Sequence, residues 1–132
     1  MDAGGHLAGY WGELMAVAAQ ARGIAGLVID GGVRDVGALR RLGFPAWSRG
    51  VSVLGCLKVS PGLVGAPVVC GGVQVATGDF VVADDDGVVF LPRARARGIA
   101  AAGVERARRE ETVIERLRAG ETTLEVLGLE QA

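Results

Sequence analysis

A short apolar run that ends in an acid, Gly26-Leu27-Val28-Ile29-Asp30, constrains the fold of this chain more than any other segment. Helical spacing of apolar residues precedes the run over residues 14–21, and a second helical segment follows over residues 33–42. A strand between two helices pairs in parallel and is covered on both faces, which explains its uninterrupted apolar sequence. The pattern therefore predicts an α/β fold in which Gly31-Gly32 makes the turn from the strand into the second helix.

After residue 45 the pattern changes to short strand candidates punctuated by glycine and proline. These candidates cover residues 45–49, 52–57, 66–70, 73–76, 80–83 and 88–91. Asp86-Gly87 lies between the last two and predicts a tight hairpin. A long helical stretch over residues 93–119 has one weak apolar face, and residues 122–129 form a last short helix. The length of 132 residues suits a single domain over residues 1–132.

Composition and charge exclude several classes of protein. Half of the residues are hydrophobic and the net charge is −1, so the chain lacks the basic surplus of a protein that binds nucleic acid directly. Its two cysteines, Cys56 and Cys70, are too far apart for a CxxC metal site, and we expect reduced thiols. The N-terminus lacks the pattern of a signal peptide, and no apolar stretch approaches the roughly 20 residues that span a bilayer. We therefore expect a cytoplasmic protein without a membrane partner.

The segment Gly12-Glu13-Leu14-Met15 predicts a binding site for an anion. It lies where a glycine-containing loop becomes a helix, and the first N–H groups of a helix have no partner within it. The helix dipole is positive at the same end, so a carboxylate or a phosphate binds well there. Glu13 adds an acid to this position.

A second group of charged residues, Arg34-Asp35, follows the next strand. Ligands of α/β folds bind beyond the carboxyl ends of parallel strands, so we expect the two helix starts to face one pocket. Arg34 suits a carboxylate ligand, and Asp35, Glu13 and Asp30 are the candidate acids. Oxygen ligands without histidine or cysteine suit Mg²⁺ or Mn²⁺ better than Zn²⁺.

Each of these residues also has a purely structural interpretation. Arg34-Asp35 at a helix start is compatible with a cap and a surface charge, Glu13 with an acid that serves the helix dipole, and Asp30 with a cap of the turn. We expect His6 to be a solvent-exposed loop residue. The acidic run at residues 84–86 lies at a hairpin tip, where aspartate favours turns, and we interpret it as structural.

Four blocks of the chain resemble, in order, the RraA-like family, which includes the 4-hydroxy-4-methyl-2-oxoglutarate/4-carboxy-4-hydroxy-2-oxoadipate aldolases. The resemblance covers nearly the whole chain, and the blocks are residues 12–16, 26–35, 43–50 and 78–89. Aldolases of this family have an acid, twenty intervening residues and then Arg-Asp, a spacing that Glu13 and Arg34-Asp35 match. The family's acid is often aspartate, so Glu13 is one methylene longer. The resemblance implies a β/β/α swivelling-type domain.

The resemblance also implies an activity and a role for each residue. The expected enzyme is a class II aldolase that uses Mg²⁺ or Mn²⁺ to release pyruvate from 4-hydroxy-2-oxo acids, with oxaloacetate decarboxylation as a side activity. By resemblance, Asp35 ligates the metal and Glu13 holds metal-bound water. Arg34 then contacts the pyruvyl group, and the N–H groups of Leu14 and Met15 hold its carboxylate. Gly12, the first residue of the same segment, is also expected to contact the substrate.

Three further expectations follow from the resemblance. It implies homotrimers or hexamers with sites at subunit interfaces, where Glu110 or Glu111 of a neighbour completes the site. Family members usually have a longer N-terminal part, so we expect an N-terminally truncated version of the domain. The alternatives to an aldolase are a non-catalytic regulator of the RraA type, which binds RNase E or another protein, and a truncated, inactive member.

Overall fold

The computed structural model describes residues 1–57 and 62–129. The chain divides into two compact units, Met1–Pro92 and Arg93–Ala132. Helices and sheets are both present, which confirms the α/β class. The single domain over residues 1–132 stays a prediction.

The first unit is built on a parallel sheet of three strands. Its elements are β1 (Gly9–Trp11), α1 (Glu13–Gln20), β2 (Leu27–Val33), α2 (Val36–Leu42) and β3 (Ala46–Val51). The strand order is β1-β2-β3, and both pairs are parallel. The central strand is the apolar run identified in the sequence, flanked by helices as predicted.

Gly31-Gly32 lies inside β2, so the predicted turn after Asp30 and the predicted helix start at Val33 are wrong. A Cβ on Gly31 would lie 2.7 Å from the Cβ of Ala3, and one on Gly32 would lie 2.5 Å from the carbonyl oxygen of Ala8. The N-terminal loop packs directly against the strand, and only glycine leaves room for it. The two glycines therefore serve close packing, and the strand continues to Val33.

A small apolar core joins the sheet to its helices. Trp11 and Phe44 stack with ring centroids 6.0 Å apart and an interplanar angle of 11°. The buried members of this cluster are Ala16, Ala19, Leu27, Ile29, Val33, Leu39 and Phe44. Since they come from α1, α2, β2 and the residues before β3, the core fixes the positions of the strand ends from which both helices start.

Two antiparallel hairpins complete this unit. β4 (Val68–Cys70) and β5 (Val73–Val75) are joined by Gly71-Gly72, and β6 (Phe80–Ala83) pairs with β7 (Val88–Leu91). The predicted hairpin at Asp86-Gly87 is confirmed. The predicted strand at 52–57 is wrong: the amide of Ser52 bonds to β2, whereas the carbonyl of Leu54 bonds to β1, so no continuous ladder forms.

The second unit contains α3 (Ala96–Arg118) and α4 (Thr123–Leu127), close to the predicted helices. Thr122 and Glu125 form a capping box at the start of α4. Arg106 and Glu110 pair one turn apart on α3, as expected of a solvated helix face. Within the described parts of the chain, no helix combines the length and apolarity needed to cross a membrane.

Candidate functional site

Two strand-to-helix junctions lie side by side at the carboxyl edge of the parallel sheet. Trp11 at the end of β1 is in register with Val33 at the end of β2. The N–H of Arg34 donates to the carbonyl oxygen of Trp11 at 2.7 Å, which fastens one junction to the other. The two junctions therefore lie next to each other, and the expectation that both helix starts face one pocket stays a prediction.

The Asp35 side chain crosses from the second junction to the first. Its Oδ2 accepts a hydrogen bond from the Glu13 N–H at 3.1 Å and lies 3.6 Å from Nε of Arg34. Asp35 occupies the N-cap position of α2, yet its side chain makes no capping hydrogen bond there. Its backbone is left-handed, with φ 56°, and among the described residues it is the one non-glycine residue with positive φ. Such conformations are uncommon outside glycine and cluster at functional sites. Asp35 is therefore not simply the cap of its own helix.

Gly12 makes this crossing possible. A Cβ on Gly12 would lie 2.3 Å from Oδ2 of Asp35 and 2.9 Å from Cγ of Arg34. The φ of −150° at Gly12 is extended, so the backbone itself does not require glycine. The requirement comes from space, because Arg34 and Asp35 fill the position that a side chain would take.

The start of α1 offers free donors to a ligand. The N–H groups of Leu14 and Met15 form no hydrogen bond within the described part of the chain, and Gly12 provides no side-chain cap. A cleft of about 500 Å³ opens beside them. Gly12, Leu14, Met15 and Arg34, all predicted to bind substrate, line this cleft together with Tyr10. Tyr10 was missed because the sequence suggested only a loop before Gly12, where the structure has β1.

The carboxylates of Glu13 and Asp35 are the acids that this site offers to a cation. Glu13 is exposed, and its carboxylate forms no hydrogen bond or ion pair with any described residue; the Asp35 side chain is 44% exposed. No cluster of three or more His, Cys, Asp or Glu suited to a metal occurs among the described residues. Mg²⁺ typically binds one or two carboxylates and retains several waters, so this small oxygen donor set fits it.

Asp30 does not belong to the site, and its inclusion among the candidate acids was wrong. Its carboxylate is buried, pairs with Arg49 and accepts the Gly71 N–H at 3.0 Å. The Arg49 hydrogen bond, followed by that of Gly71, holds the pKa of Asp30 below its usual value. Because β2 continues to Val33, Asp30 lies within the strand rather than at its end. It joins β2, β3 and the β4–β5 turn.

The remaining candidates keep the roles that their local contacts support. His6 is exposed. Oδ1 of Asp84 accepts the N–H groups of Asp86 at 2.9 Å and Gly87 at 3.2 Å, so this acid stabilises its own hairpin turn. The structural interpretation of the run is confirmed for Asp84.

Glu110 and Glu111 are exposed residues of α3 in the second unit. Glu110 accepts a hydrogen bond from Nε of Arg106 at 2.7 Å. Their contribution to a neighbouring subunit's site stays a prediction.

Comparison with known proteins gives a consistent result. A family model named RraA-like and described as Aldolase/RraA matches residues 1–90. A Halalkalibacterium halodurans protein, provisionally named 4-hydroxy-4-methyl-2-oxoglutarate aldolase, is 36% identical over 88 residues, which are 67% of this chain and 42% of that protein. The chain thus spans less than half the length of this relative.

Solved structures agree with the sequence match. An uncharacterised protein from Pseudomonas syringae superposes with a TM-score of 0.82 at 30% identity, over 95% of this chain and 64% of the other. A Streptomyces coelicolor protein, described as an unusual member of the RNase ES inhibitor RraA protein family, gives a TM-score of 0.73 at 34% identity, over 85% and 57%.

Proposed function

Because this chain belongs to the RraA-like family, we propose that it is a divalent-metal-dependent class II aldolase that cleaves 4-hydroxy-2-oxo acids and releases pyruvate. The observation that carries the proposal is that Arg34 lines one cleft with Leu14 and Met15, whose N–H groups are free, while the Asp35 carboxylate lies against Arg34 and the Glu13 N–H beside it. A cation site beside an anion site is what a 2-oxo acid requires, since its carboxylate and its carbonyl oxygen are adjacent.

The residues of the chain divide the work between binding and catalysis. The N–H groups of Leu14 and Met15 hold the substrate carboxylate, and Arg34 contacts the pyruvyl group. Asp35 and, through water, Glu13 hold Mg²⁺ or Mn²⁺, which supplies Lewis-acid polarisation of the 2-oxo group. Cleavage between C3 and C4 leaves negative charge on the 2-oxo oxygen. Arg34 and the positive end of α1 are preorganised to stabilise that charge.

The proton of the 4-hydroxyl must leave as the carbon–carbon bond breaks. Glu13 is exposed at the helix start and is positioned to orient a water that accepts this proton. Loss of CO₂ from oxaloacetate produces the same pyruvate enolate, so oxaloacetate decarboxylation follows as a side activity.

We further propose that the complete site forms in a homotrimer or hexamer. Among the described residues no group of three or more metal-binding side chains occurs, so an acid from a neighbour's α3, Glu110 or Glu111, would extend the donor set of Asp35 and Glu13.

A regulator that binds RNase E or another protein is the second candidate function. It is supported by the similarity to the Streptomyces coelicolor protein of the RNase ES inhibitor RraA family. Glu13 together with Arg34-Asp35 favours the enzyme, because a binding protein has no need for paired carboxylates around an anion site. A truncated, inactive member is the third candidate.

The decisive experiment measures pyruvate release from 4-hydroxy-4-methyl-2-oxoglutarate with Mg²⁺ and with EDTA, for this chain and for one extended upstream. We expect metal-dependent turnover that Asp35→Ala abolishes with little unfolding. Arg34→Ala should lower both pyruvate affinity and kcat. Asp84→Asn is the matched control, because its amide oxygen can still accept the two hairpin N–H groups.

Two results would overturn the proposal. Turnover absent from both chains with metal present would refute the enzyme, and retention of an RNA-degradation protein in a pull-down would then favour the regulator. Near-full Mg²⁺-dependent activity in Asp35→Ala would refute the assignment of the metal ligand.

A further inference from the structure

Resting on the proposed function, we propose that Asp35 also acts as an internal competitor of the substrate: it takes the Glu13 N–H and engages Arg34 beside the free N–H groups of Leu14 and Met15, until a cation draws its carboxylate away. Its Oδ2 lies where the Glu13 N–H and the Arg34 guanidinium converge, 3.1 Å from the first and 3.6 Å from Nε of the second. A carboxylate of the chain thus lies directly beside the N–H groups that are to receive the carboxylate of a ligand.

The geometry distinguishes this contact from ordinary capping. An aspartate at an N-cap normally accepts an N–H of its own helix. Asp35 makes no such bond on α2 and reaches across to α1 instead, from a left-handed backbone that aspartate adopts less readily than glycine. Gly12 leaves the space that the carboxylate occupies, since a Cβ there would lie 2.3 Å from Oδ2.

The same side chain can leave without disturbing the core. The side chain of Asp35 is 44% exposed and that of Arg34 is 39% exposed, so a rotation of the aspartate side chain changes contacts at the protein surface only. The backbone of Asp35 stays anchored, because its carbonyl oxygen accepts the N–H groups of Ala38 at 2.8 Å and Leu39 at 3.0 Å. Two positions of one carboxylate are therefore available on a fixed backbone.

This arrangement couples cation binding to anion binding. In one position the Asp35 carboxylate neutralises the positive end of α1 and engages Arg34. Its negative charge then repels an incoming carboxylate and competes with it for these groups. In the other it faces a cation and frees the Glu13 N–H. By linkage, each ligand then favours the binding of the other. The device makes the metal-free site a poor binder of 2-oxo acids and favours binding of the cation first.

The test measures pyruvate affinity without metal. Asp35→Gly removes the carboxylate, and glycine adopts the left-handed backbone without strain. With EDTA present, ligand-observed NMR titration should show pyruvate binding about tenfold tighter than to the unchanged chain, the effect of losing one charge-assisted hydrogen bond. Asp35→Asn, which preserves size and tolerates the same backbone, should give a smaller gain. Thermal unfolding checks that both variants fold.

The matched control is Glu13→Gln. It removes one negative charge from the same helix start and leaves the Glu13 N–H engaged by Asp35. An equal gain of affinity in this variant would show that charge alone matters and would overturn the proposal. Unchanged or weaker metal-free binding in Asp35→Gly would overturn it as well.

A second measurement observes the switch directly. The amide proton resonance of Glu13 reports its hydrogen bond, and Mg²⁺ alone should move it in the same direction as Asp35→Gly does. Mg²⁺ that binds and leaves this resonance in place contradicts the proposal. Failure of Mg²⁺ to bind at all counts against the proposed function instead, while the metal-free pyruvate titration still decides whether Asp35 competes.

Discussion

Replacing Gly12 with alanine tests the geometry of the candidate site most directly. The new Cβ would lie 2.3 Å from Oδ2 of Asp35, about 1 Å closer than an ordinary contact, and 3.1 Å from Nε of Arg34. The φ of −150° is compatible with alanine, so the change acts through these two side chains and not through backbone strain. The carboxylate must move by about 1 Å and the arginine side chain by about half that or less. A displacement of that size costs on the order of 100-fold in rate when it misplaces reacting groups.

The effect on stability should be much smaller. Alanine replaces a better N-cap residue and disturbs the contact between Asp35 and the Glu13 N–H, which together cost about 1 kcal/mol. For a chain of this size the melting temperature then falls by roughly 4 °C. The assay combines steady-state pyruvate release in Mg²⁺ with thermal unfolding followed by circular dichroism.

Gly55→Ala is the matched control, since a Cβ at this exposed glycine meets nothing within 4 Å. It should leave both activity and melting temperature unchanged. A folded Gly12→Ala protein with nearly full activity would refute the close approach of Asp35 and Arg34 as a feature that catalysis needs.

Three other perturbations test the frame around the site. Because its Arg49 partner lowers the pKa of Asp30 in the folded chain, the pair stabilises the fold above the carboxyl's ordinary value of 3.8 and loses this effect as pH falls through the lower folded pKa. Urea unfolding should show that the free energy of unfolding falls in this acid range, and Arg49→Gln should make that fall smaller. An unaltered dependence of the free energy of unfolding on pH would contradict the assignment. Gly32→Ala places a Cβ 2.5 Å from a backbone carbonyl and should destabilise the fold by about 1–3 kcal/mol, whereas Gly50→Ala meets only a side-chain carbon at 3.4 Å and should be tolerated. One glycine inserted after Gly23, in the exposed turn that precedes β2, should preserve activity; its loss would mean that the loop itself shapes the site.

The sequence predicted those elements whose signals are local. The hairpin of β6 and β7 was predicted with its observed bounds, because alternating apolar residues and the Asp86-Gly87 turn lie within a dozen positions of one another. The helix at residues 14–21 was displaced by only one residue from α1. In such segments the spacing of apolar residues alone is sufficient to predict where the helix or strand lies.

The missed features depend on contacts between distant parts of the chain. Gly31-Gly32 has the composition of a turn, and only the N-terminal loop packed against it explains why the strand continues. The side chain of Asp35 was predicted to belong to the site, but its reach across to Glu13 could not be foreseen, since its position is equally that of a cap. Residue identity indicated the chemistry, and the tertiary fold determined the direction of the side chain.

The twenty-residue spacing between Glu13 and Arg34 is best understood as a consequence of one helix and one strand. The eight residues of α1 return the chain by about 12 Å, and the seven residues of β2 carry it forward again by about 23 Å. What the site requires is the register of β1 with β2, which places Trp11 opposite Val33 and so sets the Arg34 N–H against the Trp11 carbonyl. A slip of one residue between these strands would turn every side chain of β2 to the other face. Length added to the turn before β2 changes the spacing in sequence and leaves that register intact. The spacing therefore serves to recognise the motif, whereas the strand register positions Arg34 and Asp35 beside the start of α1.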